Sequence, residues 1–320
     1  MLPTAGGTYD RVMTTPNPRT LEPIADTNLP DAPRRKPKIL VLGAGKKASI
    51  AAGAERLREV VERHTDVVLW DLAFEADLSQ LDAEWAIVFG GDGSILRAAY
   101  QMGYRQFPML GVNLGKLGFL ADLAPNDLPA TLPRLCAGEF KVVKHLMFEC
   151  TLVRNEREVW TELGLNETCV VAGPPFVIVD VQLYVDAEMV TTYSCDGLIV
   201  STPVGSTAHS LSAGGPILRK DLSALVISPI SPHTLTMRPV VDSADRTYEL
   251  VIPERKSETP NSDIHIVIDG RDLGVLEPGD RLRIRRAEPS CLLIEPPGNS
   301  YYRTLREKLG WGGRFFPSSG

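Results

Sequence analysis

Two glycine-rich turns, each placed directly after a short apolar segment, constrain the fold of this chain more than any other feature. Residues 89–94 read Phe-Gly-Gly-Asp-Gly-Ser and close the apolar run 85–89, while residues 196–216 form a second such block. A short, fully apolar run is typical of a strand buried in a parallel sheet. Glycines allow positive φ in a tight turn and let backbone N–H groups approach phosphate oxygens. We therefore predict a strand, an anion-binding turn and a helix that starts near Ser94.

Asp92 is the carboxylate within the first turn, and Gly90, Gly91, Gly93 and Ser94 surround it. A carboxylate inside an anion-binding loop is costly unless it accepts a proton or holds a metal. This chemistry is that of a kinase with a hydroxyl acceptor, so Asp92 is a candidate base and its four neighbours are candidate phosphate ligands. The alternative is a plain strand-to-helix connection with Asp92 near the helix N-cap.

The periodicity of apolar residues changes near His145, which divides the chain into two regions. Strands predicted at 38–43, 67–70, 85–89 and 108–111 alternate with helices, which indicates an α/β, Rossmann-like domain with a parallel sheet over residues 38–144. Beyond it, apolar residues alternate with period two, as in 179–185, 264–268 and 281–285, which predicts an antiparallel β-sandwich domain over 145–296. Residues 1–37 lack periodicity and are predicted to be a disordered tail, and residues 297–320 carry a short helical stripe.

Composition restricts the class of protein. The formal net charge of -6 disfavours nucleic acid as the main partner, since that binding relies on clustered Lys and Arg. The five cysteines contain no Cys-x-x-Cys pair, which favours reduced thiols in the cytoplasm. No apolar run approaches the ~18 residues of a membrane span, and no apolar core of a signal peptide is present. No His, Cys or acidic cluster has zinc-ligand spacing, so we expect no metal held by the protein alone.

Four further blocks follow the first turn in a fixed order: 111–120, Leu165-Asn166-Glu167, 196–216 and 229–239. Together with the Gly-Gly-Asp-Gly turn, this set resembles the NAD kinase family, and the resemblance extends from about Lys38 to Gly313. Lipid kinases and phosphofructokinases share a similar turn, but they lack the Asn-Glu block and the Gly-Ser-Thr-Ala block found here.

The resemblance implies transfer of the γ-phosphoryl group of ATP to the 2′-hydroxyl of the adenosine ribose of NAD, a step of NADP biosynthesis. A ribose hydroxyl barely ionises at neutral pH, so a carboxylate must take its proton, and Asp92 fits that role. Mg²⁺ would accompany ATP. The implied NAD-binding residues are Asp92, Gly93, Phe119, Asn166, Glu167, Asp196, Thr207, Ala208, His209 and Ser212. The resemblance also implies a C-terminal helix that packs back on the first domain, and we expect a homo-oligomer, either a dimer or a tetramer.

One residue departs from the family pattern. His209 stands where the family usually has Tyr, and an imidazole can stack on a base but lacks the phenol hydroxyl and can titrate. His233 either faces the site or only holds a turn. Two other functions remain open at this level: a lipid or sugar kinase that shares the glycine turn, or a non-catalytic regulator that binds NAD or NADP.

Overall fold

The first half of the chain folds as the alternation of strands and helices predicts. We describe the protein from a computed structural model, in which residues 35–115, 118–121, 123–174, 177–253, 263–298 and 300–311 are described. Residues 1–34 of the predicted tail and residues 312–320 lie outside the described residues. The elements of this half are β1 (Lys38–Gly43), α1 (Ala48–His64), β2 (Asp66–Asp71), β3 (Trp85–Phe89), α2 (Asp92–Met102), β4 (Met109–Val112) and α3 (Leu128–Cys136).

Strands β1 to β4 form the parallel part of a large sheet, in the order β2-β1-β3-β4. Every residue of β3 and β4 is buried, because helices cover both faces of the sheet. Helix α1 turns Ile50, Ala54 and Val61 inward, and their spacing places them on one face of the helix. The polypeptide therefore reaches the glycine turn after β3 from a rigid, fully buried strand.

The second half is almost entirely antiparallel. Its elements are β5 (Lys141–Arg154), β6 (Arg157–Gly164), β7 (Glu167–Ala172), β8 (Val179–Val185), β9 (Glu188–Cys195), β10 (Gly197–Ser201), α4 (His209–Ser212), β11 (Ala224–Ile230), β12 (Val240–Ser243), β13 (Tyr248–Val251), β14 (Ile264–Ile268), β15 (Arg271–Val275), β16 (Arg281–Glu295) and α5 (Tyr301–Leu309). A six-stranded sheet runs in the order β12-β11-β10-β7-β14-β15. The other antiparallel strands extend the first sheet to ten strands, in the order β2-β1-β3-β4-β16-β13-β8-β9, with β5 between β16 and β6.

The two sheets pack face to face around one apolar core, which confirms the predicted sandwich. Val181 and Leu250 of the ten-stranded sheet share this core with Leu198 and Ile266 of the six-stranded sheet. Alternate residues of β8 and β14 point into it, since side chains along a strand alternate between two faces.

Strand β16 joins the two halves of the molecule. It pairs with β5 along most of its length and meets the parallel strand β4 at Leu293. The predicted domain boundary between residues 144 and 145 therefore lies inside β5, and the backbone hydrogen bonding continues across it. The exact division into domains stays a prediction.

The C-terminal helix returns to the first half, as the resemblance implies. Leu305 of α5 is buried, and Thr304 and Glu307 share a crevice of about 320 Å³ with Ala130 and Thr131 of α3. Within the described residues, no helix combines the length and the apolar character needed to cross a bilayer.

The end of β6 is tightly packed, so a substitution there tests the packing of the fold. Gly164 pairs with Phe148 of β5, and a β-carbon on Gly164 would lie 2.1 Å from Cζ of that fully buried ring. We expect Gly164→Ala to lower the free energy of unfolding by about 1–3 kcal/mol, as overpacked cores do. Urea unfolding measures this directly.

A double mutant separates overpacking from a loss of glycine flexibility. Phe148→Leu removes the ring that a new methyl group would meet, so the two substitutions together should cost less than the sum of the single ones. Strict additivity would show that the contact with Phe148 is not the cause.

Candidate functional site

The glycine turn after β3 has one glycine that packing requires and two that face open space. The N–H of Gly90 donates to the carbonyl of Val112 at 3.0 Å, and its φ is +142°. A β-carbon on Gly90 would lie 2.0 Å from Oγ of the buried Ser94. A β-carbon on Gly91 or Gly93 would meet no atom within 4 Å. Of the four predicted phosphate ligands, Gly91 and Gly93 therefore border open space, whereas Gly90 lies too close to the Ser94 side chain to carry a β-carbon.

Asp92 binds a distant loop and is the first residue of α2, two positions earlier than the predicted helix start. Its Oδ2 accepts the N–H of Phe119 at 2.8 Å, and its Oδ1 accepts those of Leu120 at 2.8 Å and Ala121 at 3.1 Å. Gly91 occupies the cap position and Asp92 follows it directly, so Asp92 lies near the cap as in the alternative, but its carboxylate bonds to the loop and makes no cap hydrogen bond. A carboxylate has about four acceptor positions, so these three bonds leave about one for another donor.

The loop that holds Asp92 is itself fixed from two sides. A β-carbon on Gly118 would lie 2.1 Å from Asp92 Oδ1, so the loop approaches this closely only with glycine there. The carbonyl of Phe119 accepts a hydrogen bond from Lys220 Nζ at 2.5 Å, and Lys308 Nζ of α5 lies 5.3 Å from the centre of its ring. The backbone of Phe119 therefore lies next to the Asp92 carboxylate.

Asn166 and Glu167 are held by a carboxylate that the sequence analysis missed. Asp269 Oδ2 accepts the N–H of Leu165 at 2.7 Å, and its Oδ1 accepts those of Asn166 at 2.8 Å and Glu167 at 3.1 Å. Asp269 and Gly270 form the two-residue turn between β14 and β15, with φ of 48° and 78°. Asp-Gly after the alternating apolar residues of 264–268 is a strong hairpin signal and could have located this turn.

The third sequence block packs directly against the second. Thr202 Oγ1 donates to the carbonyl of Leu165 at 2.6 Å, and the Thr202 N–H donates to that of Asn166 at 2.8 Å. A β-carbon on Gly205 would lie 2.1 Å from the same Asn166 oxygen. The short turn 205–207 and helix α4 follow this contact along the chain. They carry the predicted NAD-binding residues Thr207, Ala208, His209 and Ser212, of which His209 and Ser212 are exposed.

Glu167 is a buried carboxyl group with an unusual environment. Only 9% of its surface is exposed, and its Oε2 has no hydrogen-bond partner in the described part of the chain. Burial and the nearby charge of Asp269 raise the pKa of Glu167 to about 8, although the backbone N–H of His209 opposes this. Such an orphaned buried acid is suited to a ligand hydroxyl.

Asp196 lies at the other end of β10. Ser201 pairs with Glu167 while Gly197 pairs with Val171, so Asp196 is about 17 Å along the strand from Ser201 at ~3.3 Å per residue. His233 Nε2 lies 3.4 Å from Asp196 Oδ1, and both side chains are about half exposed. The structure therefore groups His233 with Asp196 and does not bring either close to Glu167.

Over the described residues, no group of three or more His, Cys, Asp or Glu side chains is arranged to hold a metal ion. The Asp92 and Asp269 carboxylates each accept three backbone N–H groups.

The raised pKa of Glu167 gives a test by pH. The folded protein holds a proton on Glu167 between its ordinary value of 4.5 and about 8, and the unfolded chain does not. Its contribution to stability is therefore largest below 4.5 and is lost as pH rises towards 8. Relative to Glu167→Gln, the wild-type melting temperature should fall over this range. Glu188→Gln, at an exposed position, is the control, and equal pH profiles for all three proteins would contradict the raised pKa.

Comparison with known proteins agrees with this geometry. Residues 35–140 match the ATP-NAD kinase N-terminal domain and residues 165–295 the ATP-NAD kinase C-terminal domain. NAD kinases of Rhodopirellula baltica and Chromohalobacter salexigens are 52% and 37% identical over 280 and 265 residues, which cover 88% and 82% of this chain and 88% and 89% of the relatives.

Solved structures show the same fold. Yeast NADH kinase complexed with NADH has a TM-score of 0.76 at 19% identity, covering 90% of this chain and 91% of the yeast chain. An NAD kinase from Archaeoglobus fulgidus in complex with ATP has a TM-score of 0.68 at 25% identity, covering 85% and 98%. The match along both halves excludes the lipid-kinase and sugar-kinase alternatives. This chain belongs to the NAD kinase family.

Proposed function

We propose that this protein is an ATP-dependent NAD kinase, which phosphorylates the 2′-hydroxyl of the adenosine ribose of NAD and produces NADP. The observation that carries the proposal is the glycine turn, in which the Asp92 carboxylate has an acceptor position left beside two glycines that face open space. The family membership supplies the substrates, since the relatives are named NAD kinases.

In the proposed step, Asp92 accepts the proton of the ribose 2′-hydroxyl as that oxygen attacks the γ-phosphorus. The bond between the γ-phosphorus and the β,γ-bridging oxygen breaks, and ADP leaves with that electron pair. The protein contributes mainly by positioning the two groups and by stabilising charge on the transferring phosphoryl group. Gly91 and Gly93 belong to the glycine turn, and their backbone N–H groups can donate to the phosphoryl oxygens.

Mg²⁺ enters with ATP as part of the donor substrate and neutralises charge on its phosphates. The carboxylates nearest the turn are engaged by backbone donors, which fits a cation bound chiefly by phosphate oxygens.

The dinucleotide is held, in this proposal, by the Asn166–Glu167 pair together with Thr207, Ala208, His209 and Ser212. Glu167 offers its unpartnered Oε2 to a ribose hydroxyl, and Asn166 offers an amide that both donates and accepts. Phe119 lies on the loop that Asp92 anchors and can flank the nicotinamide end. Asp196 stays a predicted NAD-binding residue, and it would contact a part of NAD that extends to the other end of β10.

We further propose a cytoplasmic homo-oligomer, either a dimer or a tetramer. All five cysteines are free thiols, which is usual in a reducing compartment. Val240 and Val241 on the edge strand β12 are about half exposed, and Leu235 is 92% exposed, so this region offers an apolar surface to a second copy. Light scattering on the purified protein measures the subunit number.

Asp92→Asn tests the catalytic assignment. An amide cannot take the ribose proton, and a positioned general base contributes about 10²–10⁴-fold, so kcat should fall by that order while NAD affinity changes little. The assay mixes ATP with NAD and reads NADP through a coupled dehydrogenase. If the aspartate acts instead through the cation, Mn²⁺ in place of Mg²⁺ should partly restore turnover.

The anchoring role of Asp92 needs its own control. Gly118→Ala presses a methyl group against Asp92 Oδ1 and disturbs the loop, but it keeps the carboxylate. If Asp92→Asn lowers only the melting temperature, with near-normal turnover for each folded molecule, and Gly118→Ala does the same, Asp92 is a loop anchor and not the base.

Glu167→Ala tests the Asn166–Glu167 pair as the clamp that holds the dinucleotide. Loss of a hydrogen bond to a charged group costs about 1.5–3 kcal/mol, so the KM for NAD should rise about tenfold to a hundredfold while the KM for ATP stays nearly constant. Kinetics measured above pH 8, where Glu167 is ionised, give the full effect. An unchanged KM for NAD in a folded variant would remove Glu167 from the clamp.

A further inference from the structure

A single peptide group joins Asp92 to a lysine of the C-terminal half. The N–H of Leu120 donates to Asp92 Oδ1 at 2.8 Å, and the carbonyl of Phe119, which belongs to the same peptide group, accepts from Lys220 Nζ at 2.5 Å. The carbonyl and the N–H of a peptide group are conjugated, so charge drawn onto the oxygen makes the N–H a stronger donor. The positive charge of Lys220 is thus placed one peptide group away from the carboxylate.

The two oxygens of Asp92 accept different numbers of hydrogen bonds. Within the described chain, Oδ1 accepts the N–H groups of Leu120 and Ala121, whereas Oδ2 accepts only that of Phe119. A carboxylate oxygen has about two acceptor positions, so Oδ1 is filled and Oδ2 retains one. Oδ2 is therefore the oxygen with room for a ligand hydroxyl, and Oδ1 is the oxygen that fixes the orientation of the carboxylate.

The charged donor acts on the peptide group that serves Oδ1. A nearby carbonyl of the loop, that of Ala121, accepts the side-chain N–H of Asn113 at 3.0 Å and the backbone N–H of Gly118 at 3.2 Å. Both of these donors are neutral, and hydrogen bonds from a charged donor are about twice as strong as neutral ones. Of these three bonds to loop carbonyls, the one from Lys220 is therefore the strongest.

Lys220 is held in place by three elements before any substrate binds. Leu218, two residues earlier, donates its N–H to Ser206 Oγ at 2.9 Å, and its carbonyl accepts the Tyr301 hydroxyl of α5 at 3.1 Å. Burial lowers the pKa of His145 on β5 to about 4, and its neutral imidazole hydrogen-bonds to the backbone of Lys220. Lys220 Nζ also lies 5.6 Å from the centre of the Tyr301 ring. A cation that is already oriented loses little conformational entropy when it acts.

We infer that Lys220 is a positioning residue for phosphoryl transfer. Its ammonium group strengthens the hydrogen bond from the Leu120 N–H to Asp92 Oδ1, and this bond holds the carboxylate so that Oδ2 stays available to the ribose hydroxyl. The inference rests on the proposed function and adds to it a residue that touches neither substrate. A fixed orientation matters for rate, because misplacing a reacting group by about 1 Å costs about 10²-fold.

Replacing the lysine tests the inference. Lys220→Met removes the charge and the donor but keeps an unbranched side chain, so kcat should fall about tenfold to a hundredfold, as for a misplaced reacting group. The KM for NAD should change less than about threefold, because the Asn166–Glu167 pair is untouched. Lys220→Arg keeps a charged donor for the Phe119 carbonyl and should retain most of kcat. A folded Lys220→Met variant with the wild-type kcat would contradict the inference.

Two other lysines serve as controls. Lys308→Met removes the cation that lies over the Phe119 ring but leaves the peptide contact, so it should lower kcat much less than Lys220→Met does. Lys144→Met changes an exposed lysine next to His145 and should leave kcat unchanged. Melting temperatures show whether each variant is folded. Equal losses of kcat for Lys220→Met and Lys308→Met would show that general support of the loop, and not the peptide contact, is responsible.

A double mutant shows whether Lys220 acts through Asp92. In Asp92→Asn the base is already absent, so the addition of Lys220→Met should lower the residual kcat by less than about twofold. If the two losses multiply instead, Lys220 affects the reaction by another route and the inference is wrong.

Amide hydrogen exchange of Leu120, measured by NMR without substrates, separates this inference from the proposed function. Exchange at Leu120 should be at least about tenfold faster in Lys220→Met than in the wild type, with little change in Lys144→Met. If the wild type makes no NADP but exchange at Leu120 still depends on Lys220, the proposed function fails and the support of Asp92 stands. If the wild type makes NADP and exchange at Leu120 does not depend on Lys220, only the positioning role fails.

Discussion

Aspartate carboxylates that accept runs of consecutive backbone N–H groups hold the loops of this site in place. Asp92 accepts from residues 119–121, Asp269 from residues 165–167 and Asp71 from residues 73–76. Irregular loops leave backbone donors without sheet or helix partners, and charge-assisted bonds to a carboxylate satisfy several at once. Burial alone would raise the pKa of Asp71, but its backbone donors outweigh this and lower that pKa below its ordinary value.

These three anchors relate the parts of the site to one another. Asp71 shapes the 73–76 segment that follows β2, and Asp92 ties the glycine turn to the loop of Phe119. The Asp269 turn links two strands to the site, because Asp269 holds the Asn166–Glu167 segment while Arg271, two residues later, binds Glu162 of β6.

Electrostatics at the clamp follow from the same anchoring. Burial raises the pKa of Glu167, and the nearby charge of Asp269 adds to this effect. A neutral Glu167 can both donate and accept a hydrogen bond, whereas the ionised form only accepts. The protonation state of Glu167 therefore decides whether this side chain can donate a hydrogen bond to a ligand.

The sequence by itself determined the four parallel strands, the α/β and sandwich regions, and the choice of Asp92 as a candidate base. Strand 85–89 has the predicted bounds because an unbroken apolar run must be buried, and the glycine turn follows from the same local pattern. Tertiary structure alone decided which carboxylates anchor which loops, since Asp269 and Leu165 are 104 residues apart and no local pattern encodes their contact. It also separated Asp196 from Glu167, because Glu167 pairs with Ser201 at the opposite end of β10.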